Sequence, residues 1–174
     1  MIAILLNDVS FEQDIRELLM AFYPGETFTH KEEEAGEAEL IVRGVRDGNS
    51  FSLDVTPVKK EAVHFALIYP DFSNRFETKN EIKQTLYRLL SAQTGRELPW
   101  GTLTGIRPTK IALTKLYDGW TDEQIETYMR ETYFTSKEKI DLSIDVAERE
   151  RRLLSTIDYE NGYSLYVGIP FCPT

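Results

Sequence analysis

The sequence predicts an α/β (α+β) lobe built on a mixed or antiparallel sheet, followed by a small all-α lobe and one terminal strand that belongs to neither. Three observations predict it. Apolar residues alternate with polar ones around Leu40–Val45 and Phe51–Val55, the period of a half-buried strand. They recur at helical spacing in 11–23, 78–95 and 108–154, which stacks them on one face. Strand character returns only after Asn161-Gly162. The three parts are set at residues 1–98, 99–160 and 161–174.

The aliphatic run 2–7 opens the chain as a strand. Ser10 and Gln13 have the spacing of a capping box, so a helix is expected from Phe11 to about Tyr23, with Ile15, Leu18, Leu19 and Phe22 buried and Pro24-Gly25 as its stop. Leu40, Val42 and Val45, then Phe51, Leu53 and Val55, flank Asp47-Gly48-Asn49 and predict a hairpin. Ala62–Tyr69 is apolar and short enough for another strand. Thr78 and Glu81 make a second capping box, followed by Ile82, Leu86, Leu89 and Leu90 and a glycine stop at Gly95.

Leu98-Pro99-Trp100-Gly101 punctuates the chain, and helices are expected from there to Thr156. Pro108 suits a first helical turn ahead of Ile111, Ala112 and Leu116. Thr121 with Gln124 caps a helix carrying Ile125, Tyr128 and Met129, and Thr135 with Glu138 caps one running through Ile140, Ile144, Ala147 and Leu154.

With 174 residues, 41% hydrophobic and 28% charged, the chain has enough apolar surface for a sizeable core. The net charge of -9 is spread along its length and leaves no basic stripe, which excludes nucleic acid as an expected partner and disfavours anionic membrane surfaces. Met1–Asp8 is too short for a signal peptide and has no basic leader, and no stretch is long and uncharged enough to cross a bilayer. One cysteine cannot form an internal disulfide, and a reducing, cytoplasmic setting is expected.

Two segments carry specific chemistry: Tyr166-Val167-Gly168-Ile169-Pro170-Phe171-Cys172-Pro173-Thr174 and Trp100-Gly101-Thr102-Leu103-Thr104-Gly105-Ile106-Arg107-Pro108-Thr109-Lys110. The first is similar to the start of the barrel in radical S-adenosylmethionine enzymes of the oxygen-independent coproporphyrinogen III oxidase type, where such a strand leads into a C-x-x-x-C-x-x-C loop. The second resembles the N-terminal region of the coproporphyrinogen dehydrogenase branch. The resemblance implies that 163–171 is the first strand of a radical-SAM barrel whose remaining strands lie outside this chain. It also implies that Cys172 is the first of three thiolates holding a 4Fe-4S cluster, with the second expected two residues past Thr174. Thiolates are the natural iron ligands, and a tight loop can point several sulfurs at one cluster.

By the same resemblance Tyr166 lies near bound S-adenosylmethionine, and the parent protein converts coproporphyrinogen III to protoporphyrinogen IX by oxidative decarboxylation of two propionates. Its implied partners are its own barrel and a tetrapyrrole substrate. The 174-residue chain alone is expected to be inactive and cofactor-free, with no catalytic residue of its own. Gly168 departs from the wider family, in which many members carry histidine at that position; glycine supplies neither proton donor nor acceptor. A second reading is therefore a tetrapyrrole- or partner-binding module of a radical-SAM-like protein with another role, such as haem handling.

Arg107 and Lys110 flank a predicted helix start, where free amides and the helix dipole favour an anion. The favoured reading is a joining loop in which Pro108 opens a helix and Arg107 packs on the barrel or the acidic lobe; the other is a clamp for carboxylates. His30 and His64 stand apart from any companion ligand. Glu32, Glu33, Glu34, Glu37 and Glu39 are expected in a solvated loop, and the Arg149–Arg152 run in helix pairs with neighbouring glutamates.

Overall fold

The computed structural model describes residues 1–58, 63–105, 107–158, 161–163 and 165–168. A five-stranded mixed sheet forms its first part, with β1 (Ile2–Leu6), β2 (Phe28–Thr29), β3 (Leu40–Asp47), β4 (Ser50–Pro57) and β5 (His64–Ile68) in the order β2-β1-β3-β4-β5. β1 pairs in parallel with both β2 and β3, while β3, β4 and β5 are antiparallel. The parallel half follows from α1 (Glu12–Phe22), which carries the chain back across the sheet before β2; the antiparallel half follows from the tight turn at Gly48, whose φ of +55° suits glycine.

Alternation decides which face is covered. Ile2 and Ile4, Leu40 and Val42, and Phe51, Leu53 and Val55 point to one side. They meet Ile15, Leu18, Leu19 and Phe22 of α1 and Ile82, Leu86, Tyr87 and Leu90 of α2 (Arg75–Thr94). On the other side Ala3 and Leu5 lie under Ala35 and Ala38, because 32–37 forms a 3-10 turn against β1. The acidic run is thus a 3-10 turn where a loop was expected, while Glu32, Glu33, Glu37 and Glu39 are exposed as expected; Glu32 pairs with Arg43, Glu34 with Lys31, and Ala35 is buried. That cover stops short of β5, where Val63, Phe65, Leu67 and Tyr69 remain exposed.

Three helices follow, α3 (Thr109–Tyr117), α4 (Asp122–Tyr133) and α5 (Lys137–Leu154). They bury Ala112, Leu113, Leu116, Ile125, Met129, Ile140, Ile144 and Ala147 as a separate cluster. The capping box of Thr121 with Gln124 forms as its spacing predicts. Three other caps differ. Asp8 accepts from the Ser10 amide and caps a short 3-10 turn ahead of α1. Asn74 caps α2 through the Glu77 amide, while Thr78 is buried inside that helix and donates to the Asp71 carbonyl. Ser136 caps α5 in place of Thr135, which is buried.

The predicted strand 163–171 is not formed among the described residues. Tyr163, Leu165, Tyr166 and Val167 are each more than three-quarters exposed. An extended segment with no neighbour on either edge leaves its backbone groups to water, and a parallel strand in particular needs cover on both faces. The rest of that expectation, 169–171 with Cys172, lies outside the described residues.

The two clusters meet at a joint around α2. The amide of Leu98 donates to the Tyr87 hydroxyl at 3.0 Å, and Gln84 Nε2 donates to the Thr132 carbonyl at 2.8 Å. Phe134, from the helical side, packs against Tyr87 at a tilt of 54° with ring centroids 5.5 Å apart and lies 4.8 Å from the Arg88 guanidinium. Lys83, 7% exposed, donates to Thr104 Oγ1 at 2.9 Å, and that hydroxyl donates to Glu17 Oε2 at 2.8 Å. Burial holds the Lys83 ammonium below the ordinary lysine value of 10.5, and the carboxylates of Asp14 and Glu17 pull it partly back.

The sign of the resulting pH dependence is fixed. A lowered folded-state value means the folded chain gives up this proton before the unfolded chain does, so stability rises with pH through the alkaline range below 10.5. Lys83→Met removes that contribution. In urea melts the stability of the native chain relative to Lys83→Met is expected to be greater at about pH 10 than at about pH 7; a difference independent of pH would contradict the burial of a charged ammonium at this joint.

Candidate functional site

A groove of about 350 Å³ opens where the first turn of α2 faces α3 and α4. Phe76 forms one wall; Ile111 and Thr114 of α3 and Tyr128 and Tyr133 of α4 form the others. Arg107, Lys110 and Lys115 supply three cations, and no carboxylate among the described residues lines the groove. Small-molecule sites favour such junctions between packed units, with apolar walls and a few placed charges.

The cations differ in what already holds them. Arg107 is paired with Glu150 of α5, within the helical part itself, so its charge is already partly met. Lys110 is exposed on the first turn of α3, and no carboxylate among the described residues pairs with it. Lys115 is held chiefly by aromatic faces, with Nζ 4.3 Å from the centroid of Trp120 and 5.1 Å from that of Tyr128; Asp118 is 3.7 Å away. The hydroxyls of Tyr128 and Tyr133 lie 3.4 Å apart. Burial and then that contact push the Tyr133 phenol well above the ordinary tyrosine value, so it stays neutral and able to donate.

The helix start contributes less than its sequence suggests. Pro108 has no amide hydrogen, and the next turn tightens: Lys110 N donates to the Arg107 carbonyl at 3.1 Å and Ile111 N to the Pro108 carbonyl at 3.2 Å. Two amides expected to be free are thus satisfied within the chain. Any anion here is met by ammonium groups instead of a backbone cradle.

The structure does not bring the other candidates together with this groove. Tyr166 is 92% exposed with no hydrogen bond or ring contact among the described residues, and Cys172 lies outside them. His30 contacts Glu12 at 2.9 Å on the surface, and His64 sits on β5. An acidic cavity between α4 and α5 holds Asp122, Glu126, Asp141 and Asp145 around Lys137, yet no cluster suited to a metal ion occurs among the described residues. No described helix is long and apolar enough to cross a membrane. Phe76, Lys115, Tyr128 and Tyr133 escaped the sequence reading because three separate helices contribute them; the exposed aromatic at Phe76, among charged neighbours, was the available signal.

Fold and groove together define a chain with two main cores, one in a mixed α/β layer and one in a helical cluster. Among curated proteins it is similar to the oxygen-independent coproporphyrinogen-III oxidase-like protein HemZ of Bacillus subtilis (strain 168), with 35% identity over 123 residues. The match covers 68% of this chain and 24% of that protein, so the chain spans about a quarter of the relative's length. The chain belongs to the oxygen-independent coproporphyrinogen-III oxidase-like family, of which it represents the N-terminal region. No family model and no solved structure matches it.

Proposed function

We propose that this chain is the N-terminal accessory region of a radical S-adenosylmethionine oxidoreductase that carries out the oxidative decarboxylation of coproporphyrinogen III in haem biosynthesis. The observation that carries the reading is the family identity over 123 residues, reinforced by the Tyr166-to-Cys172 motif. In this reading Cys172 is the first thiolate of a 4Fe-4S centre, Tyr166 lies beside S-adenosylmethionine, and the region 1–160 supports the barrel.

The donor set of this chain does not by itself fit a cluster. It holds one cysteine, and a four-iron cluster retained with one open iron requires three thiolates. The chemistry therefore belongs to the longer protein, and no step of it is assigned to residues here. Gly168 favours a second reading, in which the same region serves a radical-SAM-like protein with another tetrapyrrole role, since a side chain able to move a proton is absent at that position.

Anaerobic reconstitution with iron and sulfide tests both. The longer protein is expected to retain a stoichiometric four-iron cluster and, with S-adenosylmethionine and a reductant, to consume coproporphyrinogen III. The 174-residue chain treated in parallel is expected to retain none. A longer protein that binds no cluster would defeat the radical chemistry, and one that holds a cluster but releases no carbon dioxide from coproporphyrinogen would select the second reading.

A further inference from the structure

We propose that the groove between α2, α3 and α4 binds an aromatic carboxylate, with the ring system laid between Phe76 and Ile111 and its carboxylates met by Lys110 and Lys115. Taking a tetrapyrrole as that carboxylate rests on the function proposed above; the groove's own chemistry asks for a flat apolar body with acidic substituents, which matches an oxidised porphyrin or a single pyrrole ring with its acidic arms, since the porphyrinogen macrocycle has saturated bridges and is not planar.

Charge is the first argument. The chain carries a net charge of -9, and its α4–α5 cavity is lined mainly by carboxylates, yet among the described residues this groove presents three cations and no acid. Two of these cations have a carboxylate partner within the chain, and the one left over favours something of opposite sign. Arg107 has its carboxylate in Glu150 and Lys115 has Asp118 at 3.7 Å; no carboxylate among the described residues pairs with Lys110. Lys115 is fixed over two rings, an arrangement that leaves ammonium hydrogens available while removing the entropy of a mobile side chain.

The walls select the rest of the ligand. Phe76 is 51% exposed, and its ring has Lys79 5.7 Å from its centroid. An aromatic exposed beside Ile111 and Tyr128 offers a stacking surface for a planar ring. Inorganic phosphate fits less well, because it is best held by a cradle of backbone amides and two of those at this helix start are already used. At about 350 Å³ the groove is near the small end of ligand sites. A macrocycle would be gripped along one side, with two acidic substituents inside and the remainder outside.

Fluorescence titration of the 174-residue chain with coproporphyrin III, the stable oxidised tetracarboxylate, tests this. Saturable one-to-one binding is expected. Lys110→Glu and, separately, Phe76→Ser are each expected to weaken it by about tenfold or more without changing the circular dichroism spectrum or the melting temperature, since both side chains are exposed. The tetramethyl ester is expected to bind much more weakly, and millimolar inorganic phosphate not to compete. Absence of saturable binding, equal binding of the ester, or affinity untouched by both substitutions overturns the site. Turnover by the longer protein, with no porphyrin binding to this chain, would remove the groove and leave the proposed function standing; binding without turnover would do the reverse.

Discussion

Gly101→Ala is expected to destabilise the chain by roughly 4 kcal/mol, a loss on the scale reserved for backbone conflict. Gly101 has φ of +57°, where any side chain costs on the order of 1 kcal/mol. Space adds more. A Cβ at this position would overlap the carbonyl oxygen of Tyr133 and come within 2.6 Å of the Phe134 carbonyl. Those are main-chain atoms at the end of α4, and no side-chain rotation can clear them. Relief requires pulling the 98–103 segment off the helix, which also breaks the 2.8 Å bond from the Thr102 amide to the same Tyr133 oxygen and the 2.9 Å bond from the Ser136 amide to Pro99. The melting temperature should fall by about 10 °C. Gly36→Ala is the control: a Cβ there meets nothing within 4 Å, and its effect should stay within about 0.5 kcal/mol. A Gly101→Ala chain as stable as that control would mean that loop and helix end are farther apart.

Phe134 gives the second large effect, and here two substitutions must rank in a set order. It is the non-glycine residue with positive φ among the described residues, 58°, and it ends α4 in the left-handed conformation. A bulky side chain does not adopt this readily. Its ring compensates by packing against Tyr87 and under Arg88 at the joint. Phe134→Ala removes the ring while keeping most of the backbone penalty, and is expected to cost about 2 to 3 kcal/mol for a half-buried aromatic. Phe134→Gly loses the same packing but relaxes the backbone, and should be about 1 kcal/mol more stable than the alanine variant. Chemical denaturation of the three chains measures the order. Alanine equal to or above glycine would show that the helix end moves out of the left-handed region once the ring is gone.

The elements legible in the sequence were those whose stability is local. The β3–β4 hairpin combines strict alternation with a glycine turn, and the α4 capping box closes on itself. Ser10, Thr78 and Thr135 have the same cap spacing by chance, and tertiary demands overrode it. Thr78 is needed inside α2 to satisfy the Asp71 carbonyl, and Thr135 is buried where the chain turns. β2, at two residues, is too short to show a period. At the site, Arg107 and Lys110 were visible because they adjoin a proline-led helix. The Glu150 partner that changes the meaning of Arg107 comes from another helix, as does Phe76. The Tyr163–Phe171 strand was legible as a propensity, but a strand is a property of two chains of backbone, and among the described residues its partner is not present.

The two ends of the sheet are unequal as places for growth. β2 stops after two residues and is followed closely by Lys31, so it offers little backbone to copy. β5 runs for five residues without a lysine, arginine or carboxylate and turns Phe65 and Leu67 to solvent. Natural sheets usually blunt such a margin with lysine, proline or a bulge. Here a strand added in register along β5 would set its own side chains beside those two and widen the same apolar face, so β5 and not β2 is the margin from which this sheet can grow.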